Sequence, residues 1–145
     1  MIKTFRGLMA DGSQDTIALH TNDGSTGYRI VKFEALPKAP MTLDQENVLK
    51  IYKVQQTAVD GTVDFSDQTL LGVCCVKYKD GTEGPISTHI IFDREIFNQD
   101  IYITHDDVHT GGRECNYYIE LEQMKLNLDE NTVATLKDIR NITAP

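Results

Sequence analysis

The sequence predicts an all-β fold, an antiparallel β-sandwich of about eight strands in which long crossing loops favour a jelly roll. One observation is that short segments with alternating apolar and polar side chains recur at roughly even spacing, with almost no helical periodicity. The other is that Asp-Gly pairs, which tolerate the positive φ of tight turns, separate several of these segments. The pairs are Asp11-Gly12, Asp23-Gly24, Asp60-Gly61 and Asp80-Gly81. We expect one domain over residues 1–128, followed by a tail over residues 129–145.

The last strand is predicted to be the longest, over Cys115–Leu128. Its side chains alternate so that one face is buried and the other is wet. The predicted buried face carries Cys115, Tyr117, Ile119 and Leu121, and the wet face carries Asn116, Tyr118, Glu120 and Glu122. After Gln123 the alternation shifts by one residue, which predicts a β-bulge near Gln123. A buried face this regular requires a second sheet to cover it.

Further strands are predicted ahead of it, each bounded by turn residues. They are Ile2–Met9, Asp15–Thr21, Tyr28–Leu36, Val48–Val54, Leu70–Lys79, Thr88–Phe92 and Gln99–His105. Leu70–Lys79 is apolar almost without interruption as far as Val76, which indicates a central strand buried on both faces. In Tyr28–Leu36, strict alternation places Tyr28 and Ile30 on the face opposite Phe33. Residues 58–68 are predicted to form a surface excursion, and residues 82–87 a loop around Gly84-Pro85.

The tail differs in kind from the rest of the chain. Val133, Leu136, Ile139 and Ile142 recur at intervals of three, with Asp129 or Asn131 available as an N-cap, so a short helix is expected. Two placements stay open, docking on the chain's own domain or insertion as an arm into a neighbouring subunit. In the second case the predicted subunit or shell contacts are Val133, Leu136, Ile139 and Arg140.

Composition disfavours several classes of function. The 22 acidic residues outnumber the 14 basic ones, giving a net charge of −8, and no basic run is present to contact nucleic-acid phosphates. No apolar run approaches the ~20 residues of a membrane helix, and residues 1–5 open directly into strand-like sequence without a signal-peptide core. The three cysteines cannot all pair, which indicates reduced thiols and synthesis in a cytoplasm.

Candidate chemical groups were weighed against structural roles. His105, Asp106, Asp107 and His109, with Asp100 upstream and Cys115 downstream, contain the ligand types of a metal site, but the predicted strand end and loop favour structural or exposed side chains over zinc or calcium. Asp60, Asp64 and Asp67 are interpreted as polar turns rather than a calcium site.

The sequence contains no motif that indicates catalysis. Neither a nucleophile elbow nor a glycine-rich phosphate loop is present, and Glu120 with Glu122 is better explained as a solvated strand surface than as a glycosidase pair. We therefore expect a non-enzymatic protein without a cofactor or metal.

Six segments resemble small virion proteins of tailed marine bacteriophages. They are Thr26–Phe33, Val48–Lys53, Val63–Asp67, Phe97–His105, Asn116–Glu122 and Thr132–Asn141. The resemblance spans nearly the whole chain and implies a structural component present in many copies, most plausibly a decoration or cement protein on the surface of the virion head. It further implies the major capsid protein or another virion protein as partner, and a homo-oligomer, either a trimer or a dimer.

Two other classes are retained. A tail- or fibre-associated jelly-roll module that binds host surface glycans needs exposed aromatic rings beside polar side chains, and Tyr102, Tyr117 and Tyr118 are its candidates. A metal-dependent enzyme ranks third, and its decisive observation is the metal content of the purified protein.

Overall fold

The computed structural model describes residues 1–40, 44–79 and 83–127, and every regular element within them is a β-strand. The strands are β1 (Ile2–Met9), β2 (Gln14–Ile17), β3 (Thr26–Pro37), β4 (Gln45–Tyr52), β5 (Leu70–Lys79), β6 (Glu83–Ile91), β7 (Ile101–Asp107) and β8 (Cys115–Lys125). The predicted all-β sandwich is therefore confirmed. The predicted C-terminal helix or arm, with Val133, Leu136, Ile139 and Arg140, lies outside the described residues. Nothing in the described part of the chain is a helix long and apolar enough to cross a lipid bilayer.

The strands form two antiparallel sheets in jelly-roll order. One sheet has the order β1-β8-β3, and the other has the order β2-β7-β4-β5-β6. The pairs β1·β8, β2·β7 and β4·β5 nest inside one another, as in a long hairpin that has been rolled up. The pair that would complete the series, β3·β6, forms no ladder in the described residues. Instead, β6 pairs with β5 and ends the larger sheet.

The core lies between the two sheets. From the smaller sheet, Cys115, Tyr117, Ile119 and Leu121 point inward and are at most 8% exposed, as the alternation in β8 predicted. Leu49, Ile51, Leu71, Ile101 and Ile103 fill the facing side, each fully buried. The wet face predicted for β8 is only half-exposed, because β1 and β3 flank it on both sides.

The irregularity in the smaller sheet is in β3 and not in β8. β8 keeps a continuous register with β3 through Gln123, so the predicted bulge there is wrong. The register shifts between Ile30 and Lys32, which places the extra residue at Val31. Because a bulge reverses the alternation that follows it, Tyr28, Ile30 and Phe33 all face the core, and the predicted separation of Phe33 from Tyr28 and Ile30 is also wrong.

Several predicted boundaries are corrected. β8 ends at Lys125 and has 11 residues, so the longest described strand is β3, with 12 residues, and not β8. The predicted loop over residues 82–87 belongs largely to β6, which begins at Glu83. β2 ends at Ile17 rather than Thr21, because the backbone N–H groups of Leu19 and His20 donate to the Asp100 carboxylate instead of to a strand.

The predicted excursion covers the outer face of the larger sheet. Residues 53–69 cross over β4, so that Val48 and Tyr52 are buried on the side away from the main core. Lys50 is buried there too, with its Nζ donating to the Thr62 carbonyl at 2.6 Å and to Asp60 Oδ1 at 3.2 Å.

Candidate functional site

The histidine and aspartates singled out on β7 act as structural groups. His105 is fully buried, with Nε2 2.9 Å from Asn47 Oδ1 and Nδ1 3.1 Å from the Ala10 carbonyl. The Asp107 carboxylate accepts backbone N–H groups from Glu46, His109 and Arg113. No cluster of three or more His, Cys, Asp or Glu side chains with metal-binding geometry occurs in the described ranges. The structure therefore uses these groups to tie the β1–β2 loop, the β7–β8 loop and strand β4 to the end of β7.

The aspartates of the excursion each close a local turn. Asp60, Asp64 and Asp67 each accept the backbone N–H and the hydroxyl of the Ser or Thr two residues later, at 2.6–3.0 Å. The partners are Thr62, Ser66 and Thr69. These bonds lower the pKa of Asp60 and Asp64. The repeated Asp-x-Ser/Thr spacing was visible in the sequence, and it supports the polar-turn interpretation.

The cysteines are not poised for chemistry in the folded state. Burial raises the pKa of Cys74 and of Cys115 to about 12, and raises that of Cys75. The thiolate, not the thiol, is the nucleophile and metal ligand. Asp100, which was grouped with these side chains as a candidate metal ligand, is also structural. Its carboxylate accepts two backbone N–H groups, and its Oδ1 lies 2.7 Å from Nδ1 of the His20 ring.

The outer face of the smaller sheet presents a surface groove that sequence reasoning missed. Its register places Leu8, Asn116 and Leu36 in one row, and Arg6, Tyr118 and Glu34 in the next. Leu8 is 43% exposed and Leu36 is 58% exposed, so the two leucines stand at opposite edges of the sheet with Asn116 between them. We call this the leucine groove. It encloses about 550 Å³, and the six residues of the two rows contribute to its lining.

Polar contacts fix the rest of this face. The Tyr118 hydroxyl donates to Glu120 Oε2 at 2.7 Å, which raises the Tyr118 pKa, and Lys32 Nζ lies 5.9 Å from the centre of the Tyr118 ring. Arg29 forms an ion pair with Glu122 at the far end of the sheet. Because these charged side chains already have partners, the exposed leucines are the part of the face best suited to apolar contact.

The three tyrosines proposed for glycan binding lie on different surfaces. Tyr117 faces the core at 8% exposure and packs against Gly7, where an added Cβ would come within 2.9 Å of the ring. Tyr102 lies on the outer face of the larger sheet, because its neighbours Ile101 and Ile103 point inward. Tyr117 and Tyr118 both line the leucine groove, but Tyr117 is largely buried, so Tyr118 is the tyrosine whose ring is available there.

The sequence signal for this groove was indirect. Alternation along β1 indicates that Leu8 lies on the face opposite Met9, but only the pairing of β1 and β3 on either side of β8 brings Leu8 and Leu36 into one row. A comparison with models of protein families finds no match, and a search of curated proteins finds no significantly similar sequence. The fold and the geometry of the surface are therefore the basis of the functional argument.

Proposed function

We propose that the protein is a non-enzymatic virion structural protein, a capsid decoration or cement protein that binds in many copies to the head shell. The observation that carries the proposal is the leucine groove, in which two exposed leucines flank Asn116 on the outer face of an antiparallel sheet. Jelly-roll sandwiches recur in viral capsid proteins, which is support by fold analogy. The similarity of six segments to phage virion proteins points in the same direction.

In this proposal the leucine groove contacts the major capsid protein or another virion protein. Leu8 and Leu36 supply the apolar contact, and Arg6 and Glu34 in the next row supply charges of both signs for a polar rim. The groove is lined by nine residues, fewer than the roughly 20–30 that a standard interface contributes per side, so one copy alone would bind weakly. Repetition over a shell, with the C-terminal segment as a second point of attachment, would multiply such contacts by avidity.

The first test is the copy number in purified virions, measured by quantitative mass spectrometry. Hundreds of copies per particle support head decoration, whereas a few to a few dozen indicate a tail, portal or fibre protein.

The second test uses binding to purified shells that lack the protein. The double variant Leu8→Lys/Leu36→Lys should bind at least about tenfold more weakly than the parent, because two charges would replace the two exposed leucines. Val63→Lys is the matched control, since Val63 is similarly exposed, at 42%, but lies on the excursion. Equal binding by all three proteins would exclude the leucine groove as the shell contact.

One observation favours a second candidate, a tail- or fibre-associated module that binds host glycans. Tyr118 lies in the groove beside Asn116 and Arg6, which places one aromatic ring among hydrogen-bonding side chains. A glycan array should then show binding that Tyr118→Ala removes and Tyr102→Ala leaves intact. Glycan binding without affinity for shells would replace the decoration proposal.

A further inference from the structure

Within the residues that the structure describes, the edge strand β6 pairs only with β5, and its outer backbone groups have no ladder partner there. The Phe92 N–H donates to the Leu71 carbonyl at 3.0 Å, which fixes the phase of the β5·β6 ladder. By alternation, residues 86, 88 and 90 direct their N–H and C=O groups toward β5, and residues 87, 89 and 91 direct theirs to the open edge. Residues 86–90 are all exposed. Their side chains and the open edge are therefore accessible in the single chain.

Beyond Glu83 at its first position, this strand also lacks the charges that normally protect an exposed edge. Natural proteins block long edges with charged side chains or bulges, and β1, the edge of the other sheet, carries Lys3 and Arg6. Residues 84–92 contain no Asp, Glu, Lys or Arg, although such residues make up 25% of the chain. The other uncharged run of this length, residues 68–76, overlaps the buried strand β5. β6 thus combines the position of an edge strand with the composition of an interior one.

We propose that β6 pairs antiparallel with β6 of a second copy, about a two-fold axis at Thr88, and joins the two larger sheets into one continuous sheet. Two copies that each carry a net charge of −8 repel one another, and the uncharged run over residues 84–92 is where their strands can approach with the least repulsion. Because the run is uncharged and its exposed isoleucines, Ile86 and Ile90, lie two residues on either side of Thr88, the edge is complementary to a second copy of itself.

The register follows from the side chains. Ile86 and Thr88 line the outer face of the larger sheet beside Cys75, and Ile90 alternates onto the same face. With the axis at Thr88, Ile86 stands opposite Ile90 of the second copy, so residues that are 54% and 43% exposed cover one another. Thr88 faces its own counterpart, and β-branched pairs of this kind stabilise antiparallel sheets.

The backbone phase agrees with this register. The open-edge groups of Ser87 and His89 meet those of His89 and Ser87 of the second copy as hydrogen-bonded pairs, and the two Thr88 residues form the non-hydrogen-bonded pair between them. The His89 ring does not obstruct the isoleucines, because His89 is cross-strand to Cys74 on the core side and its Nδ1 lies 3.9 Å from Glu34. Residue 85 also directs its backbone toward the open edge, and Pro85 has no N–H to donate to Ile91 of the second copy, so the paired ladder is confined to residues 86–90.

The dimer is expected to dissociate on dilution. One pair of short strands covers less than the ~1,600 Å² of a standard interface, so the Kd should be roughly micromolar. Sedimentation equilibrium of the full chain, from roughly 1 to roughly 200 µM, should show the mass rising toward twice the monomer mass. A monomer over this whole range overturns the proposal.

Matched variants identify the edge. Ile86→Lys/Ile90→Lys should remain monomeric at concentrations at which the parent protein dimerises, because it places like charges across the pair. Ile2→Lys, on the edge strand of the other sheet and at a residue that is 49% exposed, should dimerise like the parent. Loss of the dimer in Ile2→Lys but not in the β6 variant overturns the assignment. Circular dichroism of both variants checks that the fold is retained.

A disulfide tests the register. Thr88→Cys is introduced together with Cys75→Ser, because Cys75 is the cross-strand neighbour of Thr88 within the chain. In the proposed pair the two Cα atoms lie about 4.5 Å apart, within the range that a disulfide spans. Diamide should convert this variant to a covalent dimer. Val63→Cys in the same background should give little covalent dimer under the same conditions. If the Thr88→Cys variant dimerises in sedimentation equilibrium but diamide does not cross-link it, the two-fold axis does not lie at Thr88.

Discussion

Asp106 illustrates how one residue can limit the stability of the fold. Its carboxyl is half-buried near the end of β7, and burial together with the neighbouring Asp11 raises its pKa above the ordinary value of 3.8. The folded state therefore holds this proton more tightly than the unfolded chain does. The resulting stability is fully present below pH 3.8 and is lost as the pH rises through the folded-state pKa.

The corresponding prediction is that Asp106→Asn raises the melting temperature at pH 7 and has little effect near pH 3. The amide cannot ionise, so the cost of a charged carboxylate beside Asp11 disappears at neutral pH. Asp93→Asn is the control, because it removes one negative charge at an exposed position. An equal gain in both variants would mean that relief of net charge, and not the pair with Asp11, is responsible. Thermal melts monitored by circular dichroism at the two pH values provide the measurement.

The two faces of β8 lead to a second prediction at the residue scale. Ile119→Asp should unfold the domain, at a cost of more than about 4 kcal/mol, because Ile119 is fully buried and the new charge has no partner. Glu120→Lys should change the free energy of unfolding by only about 1 kcal/mol or less, since Glu120 lies on the half-exposed face. Urea titrations of both variants measure these free energies of unfolding. Equal damage from the two changes would contradict the assignment of faces.

These faces were predictable from sequence because alternation in β8 is strict from Cys115 to Glu122. The bulge at Val31 was not, since Val31 and Phe33 are both apolar and continue the alternation in the sequence. The extra residue is defined by how β3 pairs with β8, which is a long-range relation. The leucine groove depends on the same pairing, and it escaped prediction for the same reason.

At the scale of elements, the excursion over residues 53–69 gives the larger sheet a second layer. Beneath it, the side chain of Lys50 is 4% exposed, and its Nζ lies 5.5 Å from the centre of the Tyr52 ring. Asp60 both closes a turn and pairs with this lysine, whereas Asp64 only closes a turn. Two aspartates in the same local motif thus have unequal roles.

We predict that Asp60→Ala costs about 2 kcal/mol, because it leaves a buried lysine with only the Thr62 carbonyl as an oxygen partner, and that Asp64→Ala costs clearly less. The figure is below the usual cost of breaking a buried ion pair, because the Asp60 side chain is 61% exposed and water screens the interaction. Urea unfolding of the two variants compares them directly. Equal losses would show that the turn, and not the lysine, determines the contribution of Asp60.

The excursion was predicted as surface from its Asp, Gly and Ser content, but its role in burying Lys50 was not. A lysine on an alternating strand is usually solvated, and only the fold shows what crosses over it. The prediction of a loop over residues 82–87 was wrong for a different reason. Gly84-Pro85 is a strong turn signal, yet an edge strand tolerates proline on its open side.

At the scale of the whole molecule, the described domain packs its last residues, up to Leu126, before the tail begins. Leu126 is buried at 5% exposure, and its N–H donates to the Ser25 carbonyl at 2.8 Å. We therefore predict that a chain ending at Leu128 keeps the circular dichroism spectrum of the full chain but binds more weakly to shells that lack the protein. Shell-binding assays with the two chains test this. Equal affinity would remove Val133, Leu136, Ile139 and Arg140 from the shell contact.

The position of β8 between β1 and β3 also sets the order of events during biosynthesis. Both neighbours leave the ribosome many residues before Cys115–Lys125, and neither has another ladder partner in the described chain. The smaller sheet, which covers one side of the core, can therefore form only after residue 125 has emerged. A nascent chain of this kind folds late and through contacts distant in sequence, which slows folding and leaves apolar strands to be shielded by chaperones in the meantime.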